Sequence, residues 1–346
     1  MTIKTVGLDL AKNVFQLHGV DDSGNVVLRR RTLRRTQVTQ LFAQLPPCII
    51  GIESCSSSQY WARKLIGLGH QARLIPPQFV KPYVKSNKND ANDAAAICEA
   101  TGRPQMRFVP LKTPEQQSIL AVHRIRESFV QGEDGLCQSN SGHHGRVWTH
   151  APQGIGHVSR SAGEQVSHAA DPVPGMVRDL VLKLLEHLRY LERRIAELEL
   201  VIKGWHRHNA DSQRLAGIPG VGVITATALV ATIGDARQFK SGRHLAAWLG
   251  IVPRQHSSGG KERLLGISKR GDVYLRTLLI HGARVVLRHL TAPPHKVGIW
   301  LIRLGNRAHP NVVATALANR NARVVWALLV HKSSYDPALP GRACSG

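Results

Sequence analysis

Two short apolar runs, each ending in a carboxylate, constrain this chain more than any other feature. Thr5-Val6-Gly7-Leu8-Asp9-Leu10 and Cys48-Ile49-Ile50-Gly51-Ile52-Glu53 have the length and composition of buried strands. Val14–Val20 and Val26–Leu33 flank the polar turn Asp21-Asp22-Ser23-Gly24-Asn25 and predict a hairpin. Thr36–Leu45 and Tyr60–Leu68 carry helical spacing, Ala72–Ile75 reads as another strand, and Asp90–Ala100 as an Ala-rich helix. Strands alternating with helices imply an α/β body, a mixed sheet with helices packed on its faces.

The acids of that body are few and their places are specific. Asp9 and Glu53 end apolar strands, where open sheets put their sites. Asp90 and Asp93 are three apart in Lys88-Asn89-Asp90-Ala91-Asn92-Asp93-Ala94, so a helix presents both on one face. Singly, each acid has a plain structural use: Asp9 forms a turn, Glu53 neighbours a helix N-cap, Asp90 caps a helix. Together, four converging carboxylates would repel one another and raise their own pKa values. Two hard divalent ions relieve that repulsion, and Mg²⁺ accepts carboxylate, phosphate and water oxygens. The ordered set on a strand–strand–helix layout resembles the ribonuclease-H-like, RuvC-type arrangement, which implies metal-assisted phosphodiester chemistry.

Charge names the partner. The 346 residues carry a formal charge of +23, with 32 Arg against 14 Lys. Arginine's planar fork grips phosphate bidentately, so a nucleic acid is the first partner to test. A hydrophobic fraction of 42% excludes wholesale disorder. Five Cys without a Cys-x-x-Cys pair argue against a disulfide scaffold or a cysteine zinc site. Met1 to Lys12 lacks the long apolar run of a signal peptide, so a cytoplasmic protein is expected. The uncharged stretch Leu215–Gly234 is interrupted by Pro219 and several Gly and Thr, which argues against a membrane helix. The charge is +9 over residues 1–130, −2 over 131–200 and +16 over 201–346. Three regions follow: an α/β domain over 1–130, an irregular segment plus a long helix over 131–208, and a mainly α-helical domain over 209–346.

In the middle, Val177, Val181, Leu184, Leu188, Leu191, Ile195, Leu198, Ile202 and Trp205 alternate four and three apart. That is a coiled-coil seam, or else the buried face of an amphipathic helix packed on its own domain. Gln131 to Pro174 shows neither helical nor strand period and is crowded with Gly, Ser and His. A segment read from a shifted frame would have that composition; the antiparallel partner of Val177–Trp205 would then be missing and the copy inactive. A genuine variable loop is the alternative.

The last region opens with Ile218-Pro219-Gly220-Val221-Gly222 before the small-residue helix Val223–Ile233. The pattern resembles a helix-hairpin-helix, in which exposed N–H groups around Gly220 and Gly222 would hold a phosphate without reading sequence. A plain helix–helix turn has the same pattern. Further on, Ser257-Ser258-Gly259-Gly260-Lys261 lies among Arg254, Lys261, Arg263, Lys269 and Arg270, with Arg276 on the basic helix beyond. Cations so placed would stabilise charge on an attacked phosphate. His256 and Lys261 are both candidates to take a serine proton.

Taken in order, Gly7-Leu8-Asp9-Leu10-Ala11-Lys12, Ile52-Glu53-Ser54, the Asp90/Asp93 segment, the Pro219-Gly220 hairpin and the Ser-Ser-Gly-Gly-Lys loop resemble the DEDD transposases of the insertion-sequence-110 family, in its 1111-like branch. The resemblance covers about 1–130 and 176–335. It implies a RuvC-like N-terminal domain, a coiled coil for dimerisation and a C-terminal transposase domain. By position it makes Asp9, Glu53, Asp90 and Asp93 the Mg²⁺-binding catalytic acids and Ser258 the nucleophile in a composite site. It further implies double-stranded DNA at element ends and target as substrate, a structured guide RNA as partner, and a homodimer or tetramer with no membrane association. Two other functions stay open on the residues alone: a non-catalytic nucleic-acid-binding protein, for which basic charge suffices, and a RuvC-like junction nuclease without serine chemistry.

Overall fold

Residues 14–20 alternate between half-exposed and buried at every step, the signature of a strand with one face in a core. In the computed structural model, which describes residues 2–11, 14–85, 90–147, 175–257, 262–289 and 296–336, this strand belongs to a five-stranded sheet. The strands are β1 (Thr5–Leu10), β2 (Val14–Val20), β3 (Val26–Arg34), β4 (Ile49–Glu53) and β5 (Gln71–Ile75). Their order is β3-β2-β1-β4-β5: β1, β2 and β3 run antiparallel as a meander, and β1, β4 and β5 run parallel. The mixed sheet expected from the sequence is present, and β1 is its centre.

The chain divides into two compact units, Met1–Thr113 and Pro114–Gly346. In the first unit, α1 (Gln37–Gln44), α2 (Ser58–Gly67), a short α3 (Pro77–Val80) and α4 (Asp90–Thr101) accompany the sheet. Val6, Leu8, Ile50 and Ile52, all fully buried, pack with Val38 and Phe42 of α1 and Trp61 and Leu65 of α2. Trp61 meets Phe15 edge to face at 5.1 Å, a geometry that adds to the apolar burial. The opposite face carries α4, and glycine sets how close it comes. Gly7 and Gly51 are register partners on β1 and β4. A Cβ on Gly7 would stand 2.1 Å from the Ala94 carbonyl oxygen, and one on Gly51 1.7 Å from the Thr101 hydroxyl. The helix answers with Ala94, Ala96 and Ala100, all buried. Backbone thus lies directly on backbone.

The second unit is helical: α5 (Pro114–Val147), α6 (Gly175–Arg207), α7 (Ala210–Ala216), α8 (Val223–Ile233), α9 (Gly242–Trp248), α10 (Val273–Arg288), α11 (Lys296–Gly305) and α12 (Pro310–His331). One short antiparallel hairpin, β6 (Pro253–Gln255) with β7 (Leu264–Ile267), interrupts them. The stretch with membrane-like composition becomes α8, buried almost all round at the centre of the unit, as an apolar helix without a polar face must be. Among the described residues no helix is long and apolar enough to cross a membrane.

Two expectations need correction here. The segment from Gln131 is helical as far as Val147, and α5 is the antiparallel partner expected to be absent. Arg126 of α5 binds Glu199 of α6 at 2.6 Å, Glu115 accepts from the Trp205 indole at 2.7 Å, and Gly132 faces Leu191. The partner residue on α6 falls as the α5 number rises, so the helices run antiparallel. The heptad seam is spent in this way inside the chain. Leu188, Leu191 and Ile202 are buried without a second copy. Residues 114–130 of the first expected region lie in the second compact unit. Packing against α6 offsets the poor helix propensity of the glycines in α5, which is why composition concealed it. Residues 148–174, on which the rest of the irregular-segment reading falls, lie outside the described residues.

A buried polar chain ties three of these helices together. His123 on α5 is 1% exposed, with Thr227 of α8 at 3.0 Å from Nε2 and Tyr274 of α10 at 3.0 Å from Nδ1. The Thr227 hydroxyl gives its proton to helix carbonyls, Val223 at 2.8 Å and Ile224 at 3.0 Å. Nε2–H must therefore donate to Thr227, and the Tyr274 hydroxyl donates to Nδ1. Burial holds the imidazole down at about 4 and pushes the Tyr274 phenol up to about 12.

Two predictions follow from this packing. Gly7→Ala or Gly51→Ala must push α4 off the sheet and should cost about 3 kcal/mol as overpacking. Gly67→Ala, with open space around its Cβ, should be near neutral; urea midpoints of the three variants check this. The second concerns pH. The folded imidazole stays neutral where an unfolded one takes a proton, so its stabilisation is complete above pH 6.5 and lost as pH falls towards 4. Between pH 7.5 and 4 the wild type should lose about 3 kcal/mol more than His123→Gln in urea titrations.

Candidate functional site

The carboxylates are placed by strand period. Because Gly7 and Gly51 lie under α4, Asp9 and Glu53, two residues further along each strand, are on the same face. They follow Leu8 and Ile52, the last register pair between β1 and β4, at the carboxyl ends of these parallel strands. Asp93 precedes Ala94, the residue whose carbonyl rests on Gly7, in the opening turns of α4. All three are half-buried. The side chain of Asp90 lies outside the described residues, and among those described no group of three His, Cys, Asp or Glu closes on a common ion. The donors on this face are carboxylate oxygens, the chemistry that a hard divalent cation accepts. The neighbouring thiol is unsuited to a softer metal: burial pushes Cys98 up to about 11, and its Sγ lies 3.6 Å from the Thr5 carbonyl.

The sequence reading passed over Gly7 and Gly51 as site residues. The signal was present as a repeated spacing, Gly7-Leu8-Asp9 and Gly51-Ile52-Glu53, a glycine two residues before each acid.

The serine loop crowns the β6–β7 hairpin. Its stem pairs Pro253 with Ile267 and Gln255 with Leu264, and the His256 N–H extends the ladder to the Arg263 carbonyl at 2.9 Å. Ser257 is exposed, and its hydroxyl oxygen accepts from Gln255 Nε2 at 3.0 Å. Ser258, Gly259, Gly260 and Lys261 lie outside the described residues. The stem is anchored below. The Lys269 N–H bonds the Gly250 carbonyl at 3.1 Å and the Ser268 N–H the Val252 carbonyl at 2.8 Å. Gly250 and Gly271, both at positive φ, pass within contact of Arg270 and Trp248 backbone, a fit that only glycine permits.

The expected phosphate-binding residues separate into two groups. Arg254, Arg263, Lys269 and Arg270 are exposed around the hairpin. Arg276 is 8% exposed and donates to the Leu249 carbonyl at 3.3 Å, which fixes α10 to the end of α9. Gly220 is likewise occupied by the fold. A Cβ on Gly282 of α10 would stand 1.8 Å from its carbonyl oxygen, and Asn321 Nδ2 donates to Pro219 at 2.9 Å. Gly222 is exposed at the uncapped start of α8.

Known proteins share this chain throughout. A family model described as a transposase, of the DEDD type of IS110, matches residues 6–133, and one described as the transposase IS116/IS110/IS902 family matches residues 212–296. A probable family 20 transposase of Pseudomonas aeruginosa is 50% identical over 97% of this chain and 100% of its own length. The transposase of insertion sequence element IS1328 from Yersinia enterocolitica is 43% identical over 94% of this chain and 96% of its own. That of IS1111A from Coxiella burnetii is 42% identical over 96% and 91%. The carboxylates ending two parallel strands, the helical unit with its serine hairpin and this end-to-end similarity lead to one conclusion: the chain belongs to the IS110/IS116/IS902 family of insertion-sequence transposases.

Proposed function

We propose that this transposase moves its element by serine-based strand exchange guided by a structured RNA, with Asp9, Glu53, Asp90 and Asp93 as metal-binding acids on a RuvC-like sheet. The observation that carries the reading is the placement of Asp9 and Glu53 on the α4 face, at the carboxyl ends of adjacent parallel strands. When bound there, Mg²⁺ would polarise a phosphodiester and offset the charge that builds in its transition state. Ser258 supplies the nucleophile. Its oxygen bonds to phosphorus as the bond from phosphorus to one sugar oxygen breaks. The serine proton passes to a base, and the departing sugar oxygen takes one up. A freed strand end reverses the exchange, so the phosphodiester energy is conserved in the protein–DNA bond. Arg254, Lys261, Arg263, Lys269 and Arg270 offset phosphate charge around the hairpin.

Backbone-gripping cations carry no base code, which suits delegation of sequence choice to pairing with RNA. We infer an assembly of two or four chains on the two element ends, with the heptad seam used inside each chain. The acids and the serine should fail differently. Ser258→Ala should keep duplex binding yet trap no covalent adduct on a denaturing gel, while Ser257→Ala retains adduct formation. Asp9→Asn should lower activity and its divalent-ion dependence together. Adduct formation by Ser258→Ala at the wild-type rate would remove the serine and leave a water-activating nuclease.

A further inference from the structure

The segment Asn319-Arg320-Asn321-Ala322-Arg323 of α12 is a junction. Asn319 Nδ2 donates to the Ile251 carbonyl at 3.1 Å, at the foot of the serine hairpin. Asn321, 1% exposed, holds the Pro219 carbonyl of the Pro-Gly turn. On the neighbouring face, α9 crosses so tightly that a Cβ on Gly242 would stand 2.9 Å from the Arg323 Cα. Trp326, one residue short of a further turn along α12, donates from its indole to the Phe239 carbonyl at 3.0 Å. The strip Phe239-Lys240-Ser241-Gly242-Arg243 is thereby fastened along α12, with the charges of Arg243 and Arg320 both felt at Arg323.

Among the described residues no ion pair reaches Arg243, Arg320 or Arg323. Three acids of this unit are used elsewhere: Asp211 binds Arg214 and Lys332, Asp235 caps the turn at Arg237, and Asp272 caps α10. Arg323 Nε is buried with no hydrogen-bond partner. Burial first, then the charges of Arg243 and Arg320, disfavour the Arg323 cation. A fold gains nothing from gathering like charges and leaving a guanidinium N–H orphaned. An anion against these guanidinium groups would offset the gathered charge.

We infer that Arg243, Arg320 and Arg323 form a backbone-phosphate site for duplex DNA, distinct from the cations around the serine loop, with Lys240 at its edge. The inference rests on the transposase reading above for the identity of its polyanion. Its place, on the α12 segment that also holds the hairpin foot and the Pro-Gly turn, suits it to fix the register of a strand bound at the hairpin. Two arginines engaging two phosphates contribute about 1.8 to the log–log salt slope, at 0.9 each.

The test uses the full chain, with Arg243→Gln/Arg320→Gln and the charge-keeping Arg243→Lys/Arg320→Lys, and leaves the packed Arg323 intact. Duplex binding is measured between 50 and 200 mM salt, beside a single-stranded RNA of equal length. The wild type should lose about tenfold more duplex affinity across that range than the Gln pair, and the Lys pair should follow the wild type. Inorganic phosphate should raise the wild-type melting temperature more than that of the Gln pair. Without phosphate the Gln pair should melt no lower than the wild type, because it loses repulsion rather than a structural contact. An unchanged salt slope, a melting point that drops, or a defect confined to RNA would each overturn the site. Failure of the wild type to bind duplex DNA would instead overturn the transposase reading, and the site with it.

Discussion

The approach of one helix to one sheet governs the carboxylate end of the first unit. With side chains at positions 7 and 51, α4 would ride on them and its opening turn would lift away from the strand ends. Glycine at both register partners removes that spacer, and alanines on the helix complete the approach. Glycine inside a strand costs about 0.5–1 kcal/mol in chain entropy. The offset is functional geometry as well as packing, because side-chain period then fixes Asp9 and Glu53 on the helix-bearing face. The other face is filled by Val6, Leu8, Ile50 and Ile52 against α1 and α2. One sheet thus separates a dry core on one side from its carboxylates on the other.

The helical unit solves a different problem, holding two short turns steady without a sheet. The Pro-Gly turn and the foot of the serine hairpin contain too few residues to order themselves. Each is gripped by an asparagine of α12, and the turn is also closed against α10 through Gly220 and Gly282. The Arg126–Glu199 pair and the His123 chain fasten α5, α6, α8 and α10 behind them. Buried hydrogen bonds of this kind have one satisfied arrangement, so they specify the mutual register of helices more sharply than apolar contact does.

Much of this was legible in the residues, for identifiable reasons. The five strands of the sheet, the β2–β3 hairpin and α1, α2, α4, α6 and α8 followed from apolar period and breakers to within a residue or two, whereas the β6–β7 hairpin did not. The four acids stood out because each sits at a strand end or helix start. What failed was partner assignment. The heptads from Val177 to Trp205 encode a buried stripe, and a stripe does not state what covers it. Here α5 does so from inside the chain, hidden by Gly132, Gly135 and a polar run. Arg276 was misjudged for a related reason: composition marks a cation as surface-bound, while a carbonyl at a helix end can hold its guanidinium inside. The role of Gly7 and Gly51 depends on a helix distant in sequence, so only the repeated glycine-to-acid spacing hinted at it.

The allocation of charge completes the functional argument. Residues 201–346 carry +16, and three of their five acids, Asp211, Asp235 and Asp272, are engaged in caps and local pairs. Arginine is retained in surplus at the hairpin and along α12, where mutual repulsion destabilises the fold alone. Such a surface reaches its lowest free energy only with a polyanion upon it, and release of that polyanion's counterions makes binding steeply salt-dependent. The cations proposed for the hairpin and for α12 would address phosphate, which is identical at each step of a duplex. The protein's own contribution is therefore grip and chemistry. On the proposed function, discrimination between sites falls to a partner that reads bases, the guide RNA.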